Sequence, residues 1–177
     1  MVVLQVNCVF RSGSTGKIVQ DIHTELQNSG HKSIVCYGRG EKIVENNVYK
    51  TCSETESNVN HAIANVTGLP FNGLYAATRR LIQVIEREKP DVVHLHCING
   101  YFVNIYRLLS YLKTHHIPTV LTLHAEFMYT GGCGYAHDCE RWMTGCGHCP
   151  HRQYATGSLF FDRTRFLWSQ MYRCLSD

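Results

Sequence analysis

Long apolar runs are missing from this 177-residue chain. Nothing approaches the roughly 18 consecutive apolar residues that a membrane-crossing helix needs. Charge of one sign is also scarce. Seventeen Lys and Arg face 14 Asp and Glu, a formal charge of +3 with His neutral. That excess is too small to argue for a nucleic-acid partner. The amino terminus, MVVLQVNCVF, has no cationic n-region and no small-residue cleavage site. It does not read as a signal peptide, so the cytoplasm is the expected compartment. Internal repeats and low-complexity tracts are absent as well.

What is present suffices for a core. Apolar residues make up 44% of the chain and charged residues 18%, a balance typical of a folded domain. The length fits one domain, or part of a larger one. Nine cysteines is an odd number. Five are scattered: Cys8, Cys36, Cys52, Cys97 and Cys174. Cys8, Cys36 and Cys97 sit in or beside apolar runs and read as small core hydrophobes. A disulfide scaffold needs export, and no export signal is visible.

Strands alternate with helices. Val2 to Val6 and Ser33 to Tyr37 read as buried strands, as does VVHLH at 92–96. Residues 119–123 read as another, opened by Pro118, its apolar run Val120 to Leu123 leading to His124. A helix is expected after the turn RSGSTG, with Ser14 or Thr15 as N-cap and Ile18, Val19, Ile22 and Leu26 on one face. Gly30 ends it. GRGEKIVENN and TCSETESN read as surface loops. Residues 59–67 and 72–89 read as helices, the second with Leu74, Ala77, Leu81 and Ile85 at helical spacing. Phe102, Ile105, Leu109 and Leu112 give another helix. Residues 159–174 give a last one, with Phe160, Arg163, Leu167 and Met171 along one side. This order predicts an α/β fold: a Rossmann-like, doubly wound parallel sheet with helices on both faces.

Four constellations sit where such a sheet builds a site, outside the carboxyl ends of its strands. The first is SGSTGK. Its glycines let backbone N–H groups approach an anion at a helix N-terminus, yet it is neither a P-loop nor the dinucleotide fingerprint. The second is DVVHLHCINGYFVN. His94 and His96 share a strand face; His94 reads as a satisfied core residue, His96 as a site residue beside Asn99 and Gly100. The third is His124, with Glu126 close by. An imidazole there can hold a hydroxyl or phosphate, or stabilise developing charge.

The fourth is C-x5-C-x6-C-x2-C, formed by Cys133, Cys139, Cys146 and Cys149. Four thiolates suit one structural zinc, and C-x2-C is a knuckle spacing. Free thiols or two disulfides are the alternatives, and His137, Asp138 and His148 are substitute ligands. Basic and aromatic residues (Arg79, Arg80, Arg163, Arg165, Trp168 and Arg173) read as a solvated helix face, with peripheral contact to anionic lipid as the second reading.

These motifs together, above all the Thr-Leu-His segment followed by T-G-x-C…C-x-x-W-x-T-G-C-x-x-C-P at 122–150, resemble the amino-terminal domain of family-4 retaining glycosyltransferases. The resemblance is closest to exopolysaccharide enzymes of the colanic-acid and capsule type. It implies a GT-B architecture: two Rossmann-like domains around a cleft, the amino-terminal one receiving the acceptor. Residues 1–177 would then be one acceptor-side domain, incomplete, with a cysteine-rich insertion loop at 125–157. The resemblance implies hexosyl transfer from a nucleotide-sugar, the co-substrate, to a polysaccharide or lipid-linked acceptor. Gly13, Ser14, Thr15 and Gly16 would approach the donor phosphates. His124 and Glu126 would be catalytic. His96, Asn99, Gly100 and Asn104 would line the acceptor side. The family commonly has His-Asp where this chain has His124-Ala125, so Glu126 is the nearby carboxylate. The donor domain would be a separate polypeptide or a continuation of the gene. The alternative is a non-catalytic fragment, or a glycan-binding or partner module. A zinc-dependent nucleic-acid binder is disfavoured, because no basic stripe accompanies the cysteines.

Overall fold

The computed structural model describes residues 1–73 and 75–176. Five parallel strands form one sheet in the order β3-β2-β1-β4-β5. They are β1 Val2–Asn7, β2 Lys32–Tyr37, β3 Val48–Lys50, β4 Val92–Leu95 and β5 Thr119–Leu121. The helices are α1 Gly13–Asn28, α2 Glu54–Thr67, α3 Tyr75–Glu88, α4 Ile105–Thr114, α5 Arg152–Thr156 and α6 Thr164–Leu175. The order of strands reverses between β1 and β4. Their carboxyl ends therefore flank a topological switch point, the usual ligand crevice of open α/β sheets.

Alternate residues of the strands divide between two cores. Leu4, Val6, Ile34, Cys36, Val93 and Leu95 pack with Leu81 and Ile85 of α3, Leu108 and Leu112 of α4, and Leu167 and Met171 of α6. Val35, Tyr37 and Val48 face the other way, with Phe10 and with Val19 of α1. The two-faced α/β sheet expected from the sequence is present. Leu74, expected on the α3 face, lies outside the described residues.

Several expectations need correction. The run at 120–123 is not a buried strand. β5 is an edge strand with a neighbour on one side only. Val120 is 50% and Leu123 54% exposed. The N-cap of α1 is Ser12, two residues before Ser14, and Gly13 beside it takes φ +63°, a turn open to glycine at no steric cost. The buried stripe of α1 is Gly16, Val19 and His23, while Ile18 is exposed.

TCSETESN is not a loop. Ser53 Oγ accepts from the N–H of Glu56, and the Glu56 carboxylate accepts from the N–H of Ser53. This capping box starts α2 at Glu54. β3 lies just past GRGEKIVENN and is too short for its alternation to be read. Phe102 precedes α4, which Asn104 caps. Phe160 precedes α6 and is exposed. Asp162 holds that entry, accepting from the N–H and Oγ1–H of Thr164.

Candidate functional site

Asn7, the last residue of β1, ties the switch point together and is fully buried. Its Nδ2 donates to the Val9 carbonyl at 2.8 Å and to Thr15 Oγ1 at 3.3 Å. Its Oδ1 accepts from the N–H of Cys97, after β4, at 3.0 Å. One amide thus holds the start of α1 against the β4 loop. Sequence reasoning missed Asn7; the available signal was a polar residue closing an apolar strand. Gly16 is buried in this turn, and a Cβ there would sit 3.2–3.4 Å from Val9, Arg11 and Phe10. Gly13 and Ser14 are exposed at the helix start, and Thr15 is half-buried. The four residues expected to approach phosphate stand at the N-terminus of α1, where unpaired N–H groups favour anions.

Three histidines line the adjoining strand ends. His94 Nε2 lies 2.7 Å from Thr122 Oγ1, so His94 is satisfied as expected. Its ring is 3.9 Å from that of His96, centroid to centroid. His96, just past β4, is 1% exposed. Its Nδ1 lies 3.3 Å from His124 Nε2, and the rings stack at 26°. Burial, followed by the neighbouring His94 and His124, pushes the His96 pKa down to about 3. His96 is therefore a neutral imidazole near pH 7. In its contact with His124 one nitrogen donates and the other accepts. His96 Nε2 is buried without a hydrogen-bond partner among the described residues. A neutral, uncommitted imidazole nitrogen at a crevice can bind a hydroxyl or take up a proton.

Glu126 looks elsewhere. Its carboxylate accepts from the N–H of Ala136 and from the Tyr129 hydroxyl, whose pKa rises through burial and then through this carboxylate. The Glu126 N–H donates to the Gly134 carbonyl at 2.8 Å. Glu126 thus straps the cysteine loop to the segment carrying His124. Asn99 Oδ1 accepts from the Cys97 thiol at 3.0 Å. A Cβ on Gly100 would lie 2.1 Å from Cys8 Sγ, so the β1 and β4 loops meet there. Asn104 is not drawn into this group. Its Oδ1 accepts from the Arg107 N–H as the cap of α4, and its own N–H donates to Thr78 Oγ1.

In the cysteine loop all four thiols are free. Burial raises the Cys133 pKa to about 11, and the charges of Cys149, Cys146 and Cys139 add to that. The N–H of Gly131 donates to Cys146 Sγ at 3.2 Å. Among the described residues no group of three or more His, Cys, Asp or Glu is arranged to hold a metal ion. The four sulfurs sense one another without closing a ligand shell. α6 braces this loop: Trp168 Nε1 donates to the Trp142 carbonyl at 2.8 Å, and Arg165 packs against Gly147. Arg80, read as part of a solvated helix face with lipid contact as the second reading, is ion-paired with Glu56 and donates to the Thr51 carbonyl.

An open parallel sheet with a helix start and paired histidines at its switch point has the layout of a ligand-binding α/β domain. Residues 15–173 match the family described as Glycosyltransferase Family 4. The chain belongs to that family and is an amino-terminal domain of it. It is 30% identical over 162 residues to the Escherichia coli (strain K12) protein described as "Putative colanic acid biosynthesis glycosyl transferase WcaC". That alignment takes in 85% of this chain and 40% of the relative, so the chain spans well under half of the relative's length. Among solved structures it is similar to the Streptomyces sp. SF2575 glycosyltransferase SsfS6. The identity is 16% and the TM-score 0.41, over 71% of this chain and 41% of that one.

Proposed function

We propose that this chain supplies the acceptor-side half of a glycosyltransferase of GT-B architecture. The reaction is hexosyl transfer from a nucleotide-sugar to a polysaccharide or lipid-linked acceptor. The observation that carries the reading is the buried, unpartnered Nε2 of His96, stacked beside His124 at the switch point. His124 positions the reacting sugar or stabilises charge on it, and neutral His96 holds His124 in place. Gly13, Ser14, Thr15 and Gly16 meet the donor phosphates at the start of α1. Asn99 and Gly100 belong to the acceptor wall. Asn104 acts there only indirectly, through the cap of α4. Glu126 acts as a positioning residue through the loop it straps.

Two further elements belong to this reading. The four thiols take one structural zinc; the C-x2-C knuckle spacing, the mutual electrostatic reach of the sulfurs and the Gly131 N–H on Cys146 Sγ support it. Peripheral contact with the inner face of the membrane runs through an apolar patch. Val59, Ile63 and Val66 of α2 and Leu159, Phe160 and Phe161 are all exposed. The two segments adjoin through the Leu159 N–H on the Asn65 carbonyl. Arg163 stands at the edge of the patch, 5.3 Å from the Phe161 ring. Among the described residues no helix is long and apolar enough to cross a membrane.

The test is sugar transfer by the chain, alone and mixed with a donor-domain polypeptide, together with calorimetric titration of nucleotide-sugars. Transfer by the pair is expected, falling about 100-fold or more in His124→Ala. Unchanged kcat in that variant, or no transfer in any combination, overturns the reading. The non-catalytic module then replaces it.

A further inference from the structure

The cysteine loop shapes an open cavity of about 550 Å³, floored on one side by Cys133, Cys139 and Cys149, the thiols assigned above to zinc. That volume falls in the range of small-molecule sites. The side facing away from those sulfurs is lined by Tyr135, His137, Asp138, His151 and Tyr154, with Pro150 on the wall, and no role above uses it. Tyr135 and Tyr154 are 58% and 60% exposed, an uncommon state for two large rings on one concavity. The His137 ring stands between them, 6.5 Å from Tyr135 and 6.0 Å from Tyr154. It is held there by a backbone φ of +49°, a conformation that is uncommon outside glycine and reached most readily by residues such as Asn, Asp and His. The Asp138 carboxylate and the His137 and His151 imidazoles are not engaged by hydrogen bonds elsewhere among the described residues.

This lining selects its ligand by chemistry. Ring faces take an apolar surface. A carboxylate and two imidazoles at the rim accept from and donate to hydroxyls. No Lys or Arg lines the cavity, and a carboxylate does, so a phosphate or diphosphate is disfavoured. A neutral pyranose combines what remains: a C–H face for a tyrosine ring and a rim of hydroxyls for Asp138 and the histidines.

The cavity is also placed for such a role. Ala136, on its wall, donates its N–H to the Glu126 carboxylate, and Glu126 follows His124 by two residues. We propose that this cavity is a subsite for a pyranose unit of the acceptor glycan, a unit other than the one that reacts. The proposal rests on the acceptor-side reading above and names its substrate contact.

The experiment is saturation-transfer NMR on the 177-residue chain with millimolar methyl β-glucopyranoside, methyl β-galactopyranoside and cellobiose. Saturation of ring protons is expected from at least one sugar. It should fall tenfold or more in Tyr154→Ala and Asp138→Asn, survive in Tyr154→Phe, and be unchanged in Tyr75→Ala, an exposed tyrosine on α3. Thermal melts confirm that the variants fold. No saturation from any of the three sugars, or equal saturation in Tyr154→Ala, overturns the subsite. Sugar binding that obeys this pattern without transfer in any pairing sinks the transferase reading and leaves the subsite standing. Transfer whose acceptor KM ignores Tyr154→Ala does the reverse.

Discussion

His96 Nδ1 lies 3.3 Å from His124 Nε2, although the residues follow different strands and stand 28 apart in sequence. The contact exists because β4 and β5 pair in parallel with His94 opposite Val120, so both chains leave the sheet at the same edge. Its consequence is electrostatic. Desolvation and two neighbouring imidazoles hold His96 neutral in the fold, whereas an unfolded His ionises near pH 6.5.

Stability should therefore fall on acidification. The folded pKa of about 3 lies below the unfolded value, so between them the unfolded chain binds the extra proton. The contribution is full above the unfolded pKa and lost as pH drops below it. The slope from His96 alone is about 1.4 kcal/mol per pH unit. His23 and His94, also depressed by burial, act in the same direction. Urea unfolding between roughly pH 7 and pH 5 should show a slope shallower by about one proton in His96→Asn than in the parent chain. Equal slopes would show that His96 titrates normally.

Asn7 should be the most sensitive polar position of the crevice. Asn7→Ala leaves the Cys97 N–H without its partner and frees Thr15 from β1. An unsatisfied buried donor costs about 1–3 kcal/mol. The expected result is a lower urea midpoint with an unchanged m-value, accompanied by weaker nucleotide-sugar binding because the α1 start is no longer fixed. A variant as stable as the parent would mean that water replaces the amide.

The difference between what sequence revealed and what it hid follows from the range of each interaction. β1, β2, β4, α3 and α4 announce themselves by local periodicity, and the order of strands and helices indicates the parallel sheet. His96 and His124 were legible because each ends an apolar run. Their mutual contact was not, since it depends on strand pairing. Asn7 stood out only as a polar residue closing an apolar strand, and its role was hidden for the same reason: its partners at Thr15 and Cys97 are 8 and 90 residues away. The exposure of Val120 was misread because an apolar run looks alike at the centre and at the edge of a sheet. The start of α2 was misread for a different reason. Its polar composition masked a capping box that the Ser53-x-x-Glu56 spacing did spell out.

Gly100 and Cys8 should behave as one unit. A Cβ at Gly100 would lie 2.1 Å from Cys8 Sγ, inside any permitted contact. Gly100→Ala must push the two loops apart, and overpacking of this kind costs about 1–3 kcal/mol. Cys8→Ala removes the sulfur. The double variant should then recover part of that loss, leaving a coupling energy of about 1 kcal/mol. Chemical denaturation of the four proteins closes the cycle. Strict additivity would mean that the loops shift independently.

The cysteine loop should bind about one zinc per chain when purified under reducing conditions. Cobalt substitution should give the charge-transfer band of thiolate ligation, and Cys146→Ser should lose metal together with loop stability. Cys174→Ser, a cysteine outside the loop, should lose neither. Metal analysis that finds none, with all nine thiols titrating as free, would leave the loop held by its hydrogen bonds, those of Glu126, Arg141, Asp162 and Trp168 among them.

The apolar patch of α2 and residues 159–161 should carry lipid affinity. Phe160 is 64% and Phe161 49% exposed, and Ile63 and Val66 of the adjoining helix are 47% and 52% exposed. Burying such side chains at a bilayer surface yields about 25 cal/mol per Å² of apolar area. The basic residue beside them favours anionic headgroups, each such charge contributing about 1 kcal/mol near the surface. The chain should float with vesicles containing anionic lipid, and less with neutral ones. Phe160→Ser with Phe161→Ser should abolish flotation with only a small drop in melting temperature, because Phe160 is 64% and Phe161 49% exposed already. Arg163→Gln should weaken it only at low salt, where its charge is unscreened. Flotation that survives the paired serine substitutions would remove the patch from the account of how a lipid-linked acceptor is met.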